Sequence, residues 1–255
     1  MKRPKIGLAL GSGSARGLAH IGVLKVLKEE GIPIDYVAGT SMGSLIGVLF
    51  ANGIEPEMME KLALHLKRKH WLDLTVPGFG FILGEKVKDL VHLLTHQKNL
   101  DEFPIPTAVV ATDLITGERV VFKEGSAAEA VRASISIPGI FTPVVTNNQV
   151  LVDGAVVERV PISVVREMGA DIVIAVDVFP GNNTRMRIRN IFDVIMQSLE
   201  IMERRVFQDH LVSADVLIQP DVSEINPAAF TRVTECVKKG EEAARASLEQ
   251  IRQLI

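Results

Sequence analysis

Gly39-Thr40-Ser41-Met42-Gly43 sets a serine between two glycines in the spacing G-x-S-x-G, with apolar runs on either side. Where such a stretch joins a strand to a helix, the sharp turn lifts the serine Oγ clear of the sheet and the glycines leave room for it. Ser41 is therefore the candidate nucleophile of an acyl transfer. A helix N-terminus at that point also favours developing negative charge through its free N–H groups and macrodipole. The same five residues equally describe a glycine-bounded turn in which Ser41 only caps the helix.

A second glycine-rich turn lies upstream, Gly11-Ser12-Gly13-Ser14-Ala15-Arg16-Gly17. As a dinucleotide fingerprint G-x-G-x-x-G it puts Arg16 where the third glycine belongs, and Asp35, about 20 positions on, opens the second strand instead of closing it. It also lacks the Gly-Lys-Ser/Thr ending of a phosphate loop. An oxyanion hole fits better: donors near Gly13, Ser14 and Ala15 facing an acyl oxygen, with Arg16 adding positive charge or anchoring the loop.

A serine nucleophile needs a base. The histidines are His20, His65, His70, His92, His96 and His210, and none falls in a loop just beyond a strand. His20 is the best placed, one turn after Arg16, yet it sits in an apolar helical pattern and reads as a packed core residue. The other candidate is Asp153 in Val152-Asp153-Gly154-Ala155. Asp-Gly between short apolar runs is also a type I′ hairpin signal, so the residues alone leave both readings open. With an unperturbed pKa of about 3.9, an aspartate becomes a useful base only if burial raises it toward the working pH.

These residues need elements to position them. Strand-like runs at 5–10, 36–38, 107–112, 119–122, 149–152, 171–178 and 215–219 alternate with helical patterns at 18–29, 42–51, 127–134, 161–168, 188–212 and 227–254. The strands lack strict alternation, which predicts an α/β fold whose parallel sheet is covered on both faces. Residues 54–100 read as helix, loop, helix, broken at Pro77-Gly78-Phe79-Gly80-Phe81, and look like a lid-like insertion in one domain spanning 1–255. Met186, Met196 and Met202, with Ile188, Phe192, Ile195 and Leu199, form an apolar helical stripe read as core first and as a self-association face second.

A 47% hydrophobic composition supplies a core and excludes a disordered chain. The 28 Lys+Arg against 31 Asp+Glu argue against a nucleic-acid binder, which needs a clustered basic surface. A single Cys236 excludes an internal disulfide and a thiolate-rich metal site. The basic start is followed by an apolar run too short for a signal peptide, and the longest apolar stretch, 42–51, is half of the ~20 residues of a membrane span. A cytoplasmic chain is expected. Lys67-Arg68-Lys69-His70 before Trp71-Leu72 and the apolar 79–83 reads in two ways: a lid docking peripherally on anionic lipid, or a helix end with ordinary cations.

The chain resembles the patatin-like phospholipase family, in the bacterial branch similar to the esterase domain of neuropathy target esterase. The resemblance rests on residues 10–25 (LGSGSARGLAHIGVLK), 37–44 (VAGTSMGS), 111–118 (ATDLITGE), 131–143 (VRASISIPGIFTP), 151–155 (LVDGA) and 168–178 (MGADIVIAVDV), in family order. It implies a three-layer α/β/α fold with a mostly parallel central sheet and an acyl-enzyme mechanism on lipid acyl esters, with no metal or organic cofactor. It assigns nucleophile to Ser41, base to Asp153 and the oxyanion loop to Gly13, Ser14, Ala15 and Arg16. Ser12 and Ser14 depart from the family's nearly all-glycine loop, where a positive φ is costlier for serine. Rival readings are a thioesterase or transacylase, and a lipid-binding module without catalysis.

Overall fold

In a computed structural model of the chain, residues 3–76, 78–146, 148–179, 188–207 and 213–255 are described, 204–207 by backbone alone. Pro77, Met186 and His210, named above, lie outside them. The element order is β1 (Ile6–Leu10), α1 (Ala19–Glu29), β2 (Tyr36–Thr40), α2 (Met42–Ala51), α3 (Pro56–His65), α4 (Arg68–Trp71), α5 (Glu85–Leu94), β3 (Thr107–Asp113), β4 (Arg119–Phe122), α6 (Ala127–Ser134), β5 (Val144–Val145), β6 (Val150–Asp153), α7 (Ile162–Glu167), β7 (Ile172–Val176), α8 (Ile191–Phe207), β8 (Val216–Ile218) and α9 (Val233–Leu254).

The non-alternating apolar runs become the parallel strands β3-β2-β1-β7-β8, and every residue of β1, β3 and β7 is buried. Ile6, Leu8 and Leu10 pack on one face against α1, α2 and α9, while Ala9, Ala38 and Ala108 meet Val164 and Val165 of α7 on the other. This is the three-layer α/β/α arrangement, with the small residues facing the close-packed α7 side. The fold-class expectation holds, and the sheet ends in an antiparallel portion, making it mixed.

That antiparallel end positions the site. Val109 and Val110 of β3 pair with β4, and so do Ala111 and Thr112. The opposite edge of β3 is therefore shared: β2 runs up it to the pair Thr40↔Val110, and β6 runs down it to Asp153↔Ala111. Two strands thus point at each other along one edge and stop at adjacent residues of β3.

Sequence and structure differ at several places. No hairpin follows Asp153; a short 3₁₀ turn, Gly154–Val156, does. The two-residue β5 is too short to leave a pattern. The long helices begin later than their patterns, α8 at Ile191 and α9 at Val233. The apolar stripe is only partly core, since Ile188 is 51% exposed and Met202 63%. Among the described residues no helix is long and apolar enough to cross a membrane, and no group of metal-ligating side chains gathers.

Candidate active site

Ser41 stands between β2 and α2 with φ +54°, one of the few non-glycine residues in that region, so its side chain projects from a tight elbow. The elbow closes because Gly43 has no Cβ: a methyl there would come within 2.1 Å of the Leu10 carbonyl oxygen, at the end of β1. Ser41 Oγ donates to Asp153 Oδ2 over 2.6 Å, and both residues are buried. The Ala155 N–H donates to the other carboxylate oxygen, Oδ1, at 2.9 Å. Gly154 is glycine for close approach and not for a hairpin, since a Cβ there would sit 2.4 Å from the Val110 carbonyl oxygen.

The turn at the end of α6 holds both partners. The Ser41 N–H donates to Ser134 Oγ over 2.8 Å, and the Asp153 N–H donates to the Ser136 carbonyl over 2.9 Å. No chemical pattern in the sequence marks Ser134 or Ser136; they lie inside the resemblance at 131–143 without any type or spacing that signals a role. Burial pushes the Asp153 carboxyl up to about 7, against the downward pull of its hydrogen bonds from Ser41 and Ala155. At neutral pH it is poised between accepting and returning a proton.

In the glycine-rich loop, Ser14 takes a positive φ of +50° and is tied by its hydroxyl to the Pro227 carbonyl at 2.7 Å. The Ala15 N–H also goes to Pro227, and the Arg16 N–H to the Gly13 carbonyl. Among the described residues no acceptor takes the N–H of Gly13 or Ser14. Arg16 is buried; its Nε donates to the Ile225 carbonyl and its Nη1 to Glu200 Oε1 at 2.5 Å, which ties the loop to both. Arg159 braces the same loop: its carbonyl accepts the Ser12 N–H, and its guanidinium grips Asp177 at 2.5 and 2.9 Å.

The described histidines stand apart. None lines either cavity at Ser41. His20 is fully buried, its Nε2 is 2.8 Å from the Gly11 carbonyl, and burial lowers its pKa to about 4, so the ring is neutral at pH 7.

Two cavities meet at Ser41. One, of about 160 Å³, is almost wholly apolar and runs between α2, α3 and α5, past Met42, Leu45, Leu49, Met59 and Trp71. Trp71 reaches Phe230 at 4.8 Å between ring centroids and closes that side. Residues of the stretch 54–100 thus supply one wall of this apolar cavity. The other cavity holds Asp153 with Ser12, Arg16, Arg159, Glu200 and Glu203 and is more polar than the first. Burial pushes Glu203 up to about 8 despite Arg159 at 3.8 Å.

A family model described as patatin-like phospholipase matches residues 8–166, more than half of the chain. An NTE family protein of Mycobacterium bovis is 38% identical over 175 residues, covering 68% of this chain and 49% of that protein. Human patatin-like phospholipase domain-containing protein 6 is 36% identical over 187 residues, covering 70% and 14%, and the lysophospholipase NTE1 of Mycosarcoma maydis 36% over 191 residues, covering 71% and 10%. The chain thus spans about half the length of the mycobacterial relative and a small part of the others. Among solved structures, VipD from Legionella pneumophila superposes with a TM-score of 0.69 over 99% of this chain and 67% of its own at 13% identity. The type III effector ExoU gives 0.57 over 97% and 53% at 14%. Those two likenesses are of fold, and with the family match and the relatives above they lead to one conclusion: the chain belongs to the patatin-like phospholipase family.

Proposed function

We propose that the chain is a serine acyl-hydrolase of lipid acyl esters, phospholipid or lysophospholipid, working through a Ser41–Asp153 dyad and an acyl-enzyme. The observation that carries the reading is the buried 2.6 Å hydrogen bond from Ser41 Oγ to Asp153 Oδ2 at the mouth of an apolar cavity. Asp153 takes the Ser41 proton as Oγ attacks the ester carbonyl. The oxyanion of the tetrahedral intermediate is met by the N–H groups of Gly13 and Ser14, the two in the loop without an acceptor among the described residues, while those of Ala15 and Arg16 hold the loop in shape. Collapse expels the alcohol, which receives the proton from Asp153. Water, deprotonated by the same carboxylate, then attacks the acyl-enzyme, and the acid leaves with Ser41 restored.

The acyl chain occupies the apolar cavity walled by the insertion at 54–100 within one catalytic domain. The exposed run 67–70 and the neighbouring loop, with Phe79 84% exposed, reach the insoluble substrate at an anionic lipid surface from the cytoplasmic side. The test is labelling with a fluorophosphonate followed by mass-spectrometric site identification. Modification of Ser41 in the native protein, and none in Ser41→Ala, is expected. A folded native protein that does not react sinks the mechanism and leaves a lipid-binding module.

A further inference from the structure

A surface helix of a globular protein turns its apolar stripe inward and its charges outward. Helix α8 departs from this on both sides. Its inward side carries Asp193, Glu200 and Glu203 beside the half-buried Phe192, Ile195, Met196 and Leu199, and Asp193 and Glu200 are only 8% and 7% exposed. Its outward positions carry Ile191 (54% exposed), Val194 (46%), Ile201 (47%) and Met202 (63%).

The inward acidic positions are held by the buried arginines. Glu200 accepts from Arg16 at 2.5 Å and Glu203 stands 3.8 Å from Arg159, both arginines being buried beneath the oxyanion loop. Turning the outward face inward would take Glu200 away from the buried Arg16 guanidinium, and an unpaired buried charge is costly. The apolar face is thus turned outward beside the site, because Met196, Leu199, Glu200 and Glu203 of the same helix line the second cavity at Ser41.

We propose that the outward face of α8 is a lipid-contact surface that seats the mouth of the Ser41 site on an anionic membrane or lipid aggregate. The proposal rests on the lipid-ester reading above. Two observations choose this occupant. The α8 face is continuous with a second exposed apolar element: Phe192 packs on Phe81 at 5.2 Å, and the loop of Phe81 displays Leu74 (70% exposed) and Val76 (87%). Both elements are flanked by exposed cations, Lys67, Arg68, Lys69 and Arg189, that have no salt bridge among the described residues. Apolar side chains ringed by unpaired cations complement an anionic lipid surface.

The test is flotation of the whole chain with phosphatidylcholine vesicles, with and without phosphatidylglycerol, comparing native protein and the combined variant Ile191→Gln, Val194→Gln, Ile201→Gln, Met202→Gln. Partition to anionic vesicles should fall at least tenfold, with fluorophosphonate labelling and soluble-ester turnover unchanged. A second measurement uses Met202→Cys carrying an environment-sensitive fluorophore, since the native Cys236 is buried; its emission should shift to the blue on addition of anionic vesicles. Equal partition with no shift overturns the proposal. A native dimer in sedimentation equilibrium that the combined variant dissociates, with vesicle binding unaltered, overturns it in favour of a second copy. If the native protein neither labels nor turns over the ester, the function reading fails, while partition and emission still decide the role of α8.

Discussion

Ser134 holds Ser41 by the backbone: the Ser41 N–H donates to Ser134 Oγ at 2.8 Å, and that hydroxyl donates onward to the Val110 carbonyl at 2.6 Å. The chain matters because Ser41 sits at φ +54°, a region that costs an L residue about 1–2 kcal/mol and persists only where its surroundings enforce it. Ser134→Ala leaves a buried N–H unpaired, at about 1–3 kcal/mol, and frees the elbow. A lower melting temperature and a fall of about tenfold in kcat with KM little changed are expected. Native kcat in a folded Ser134→Ala would mean that β2 and α2 hold the elbow unaided.

Asp153→Asn should separate stability from activity. The folded carboxyl titrates near 7 because of burial, above the ordinary carboxylate value of an unfolded chain. Between about pH 4 and pH 7 the native state holds a proton that the unfolded state releases, so its stability falls as pH rises through that window and levels off above it. Asp153→Asn removes this dependence. Its melting temperature should match the native one near pH 4 and exceed it by a few degrees at pH 8, while turnover drops by several orders of magnitude. Native kcat/KM should rise with pH through an apparent pKa near 7. Melting curves and rate profiles from pH 4 to 9 check both, and retained turnover in Asp153→Asn would remove Asp153 as the base.

At Ser14 two effects oppose each other. A positive φ favours glycine, yet the serine hydroxyl tethers the loop to Pro227. Ser14→Gly relieves the strain and loses the tether, each worth about 1 kcal/mol, so stability and turnover should stay within a few-fold of native. Ser14→Ala keeps the strain without the tether and should lower both. The pair, measured by denaturant unfolding and ester turnover, reads the hydroxyl separately from the backbone; a collapse of turnover in Ser14→Gly with stability intact would give the hydroxyl a catalytic part.

Ala63 lies on α3 in the wall of the apolar cavity. Ala63→Phe should fill it and shorten the acyl chain accepted, cutting kcat/KM for decanoyl and longer p-nitrophenyl esters about tenfold or more while leaving the acetyl ester nearly unchanged. An unchanged chain-length profile would place the acyl chain elsewhere.

The elbow at Ser41 was legible from sequence because its determinants are local: an apolar strand, two glycines and a helix within about fifteen residues. The parallel sheet was legible for the same reason, since burial on both faces writes itself into each strand as an unbroken apolar run. Asp153 was not decidable from its neighbours, because Asp-Gly suits a hairpin as well as a close approach to Val110. What brings Asp153 to Ser41 is that β2 and β6 share one edge of β3 and stop at adjacent residues, Val110 and Ala111. Strand pairings that span 70 and 42 residues leave no local signature. The same holds for the loop donors, where partners such as Pro227, distant in sequence, occupy some N–H groups and leave those of Gly13 and Ser14. It holds again for α8, whose periodicity revealed an apolar stripe but not the apolar face beside it that stays exposed. How such a helix turns depends on the groups it must meet, and Arg16 comes to Glu200 only when the chain has folded.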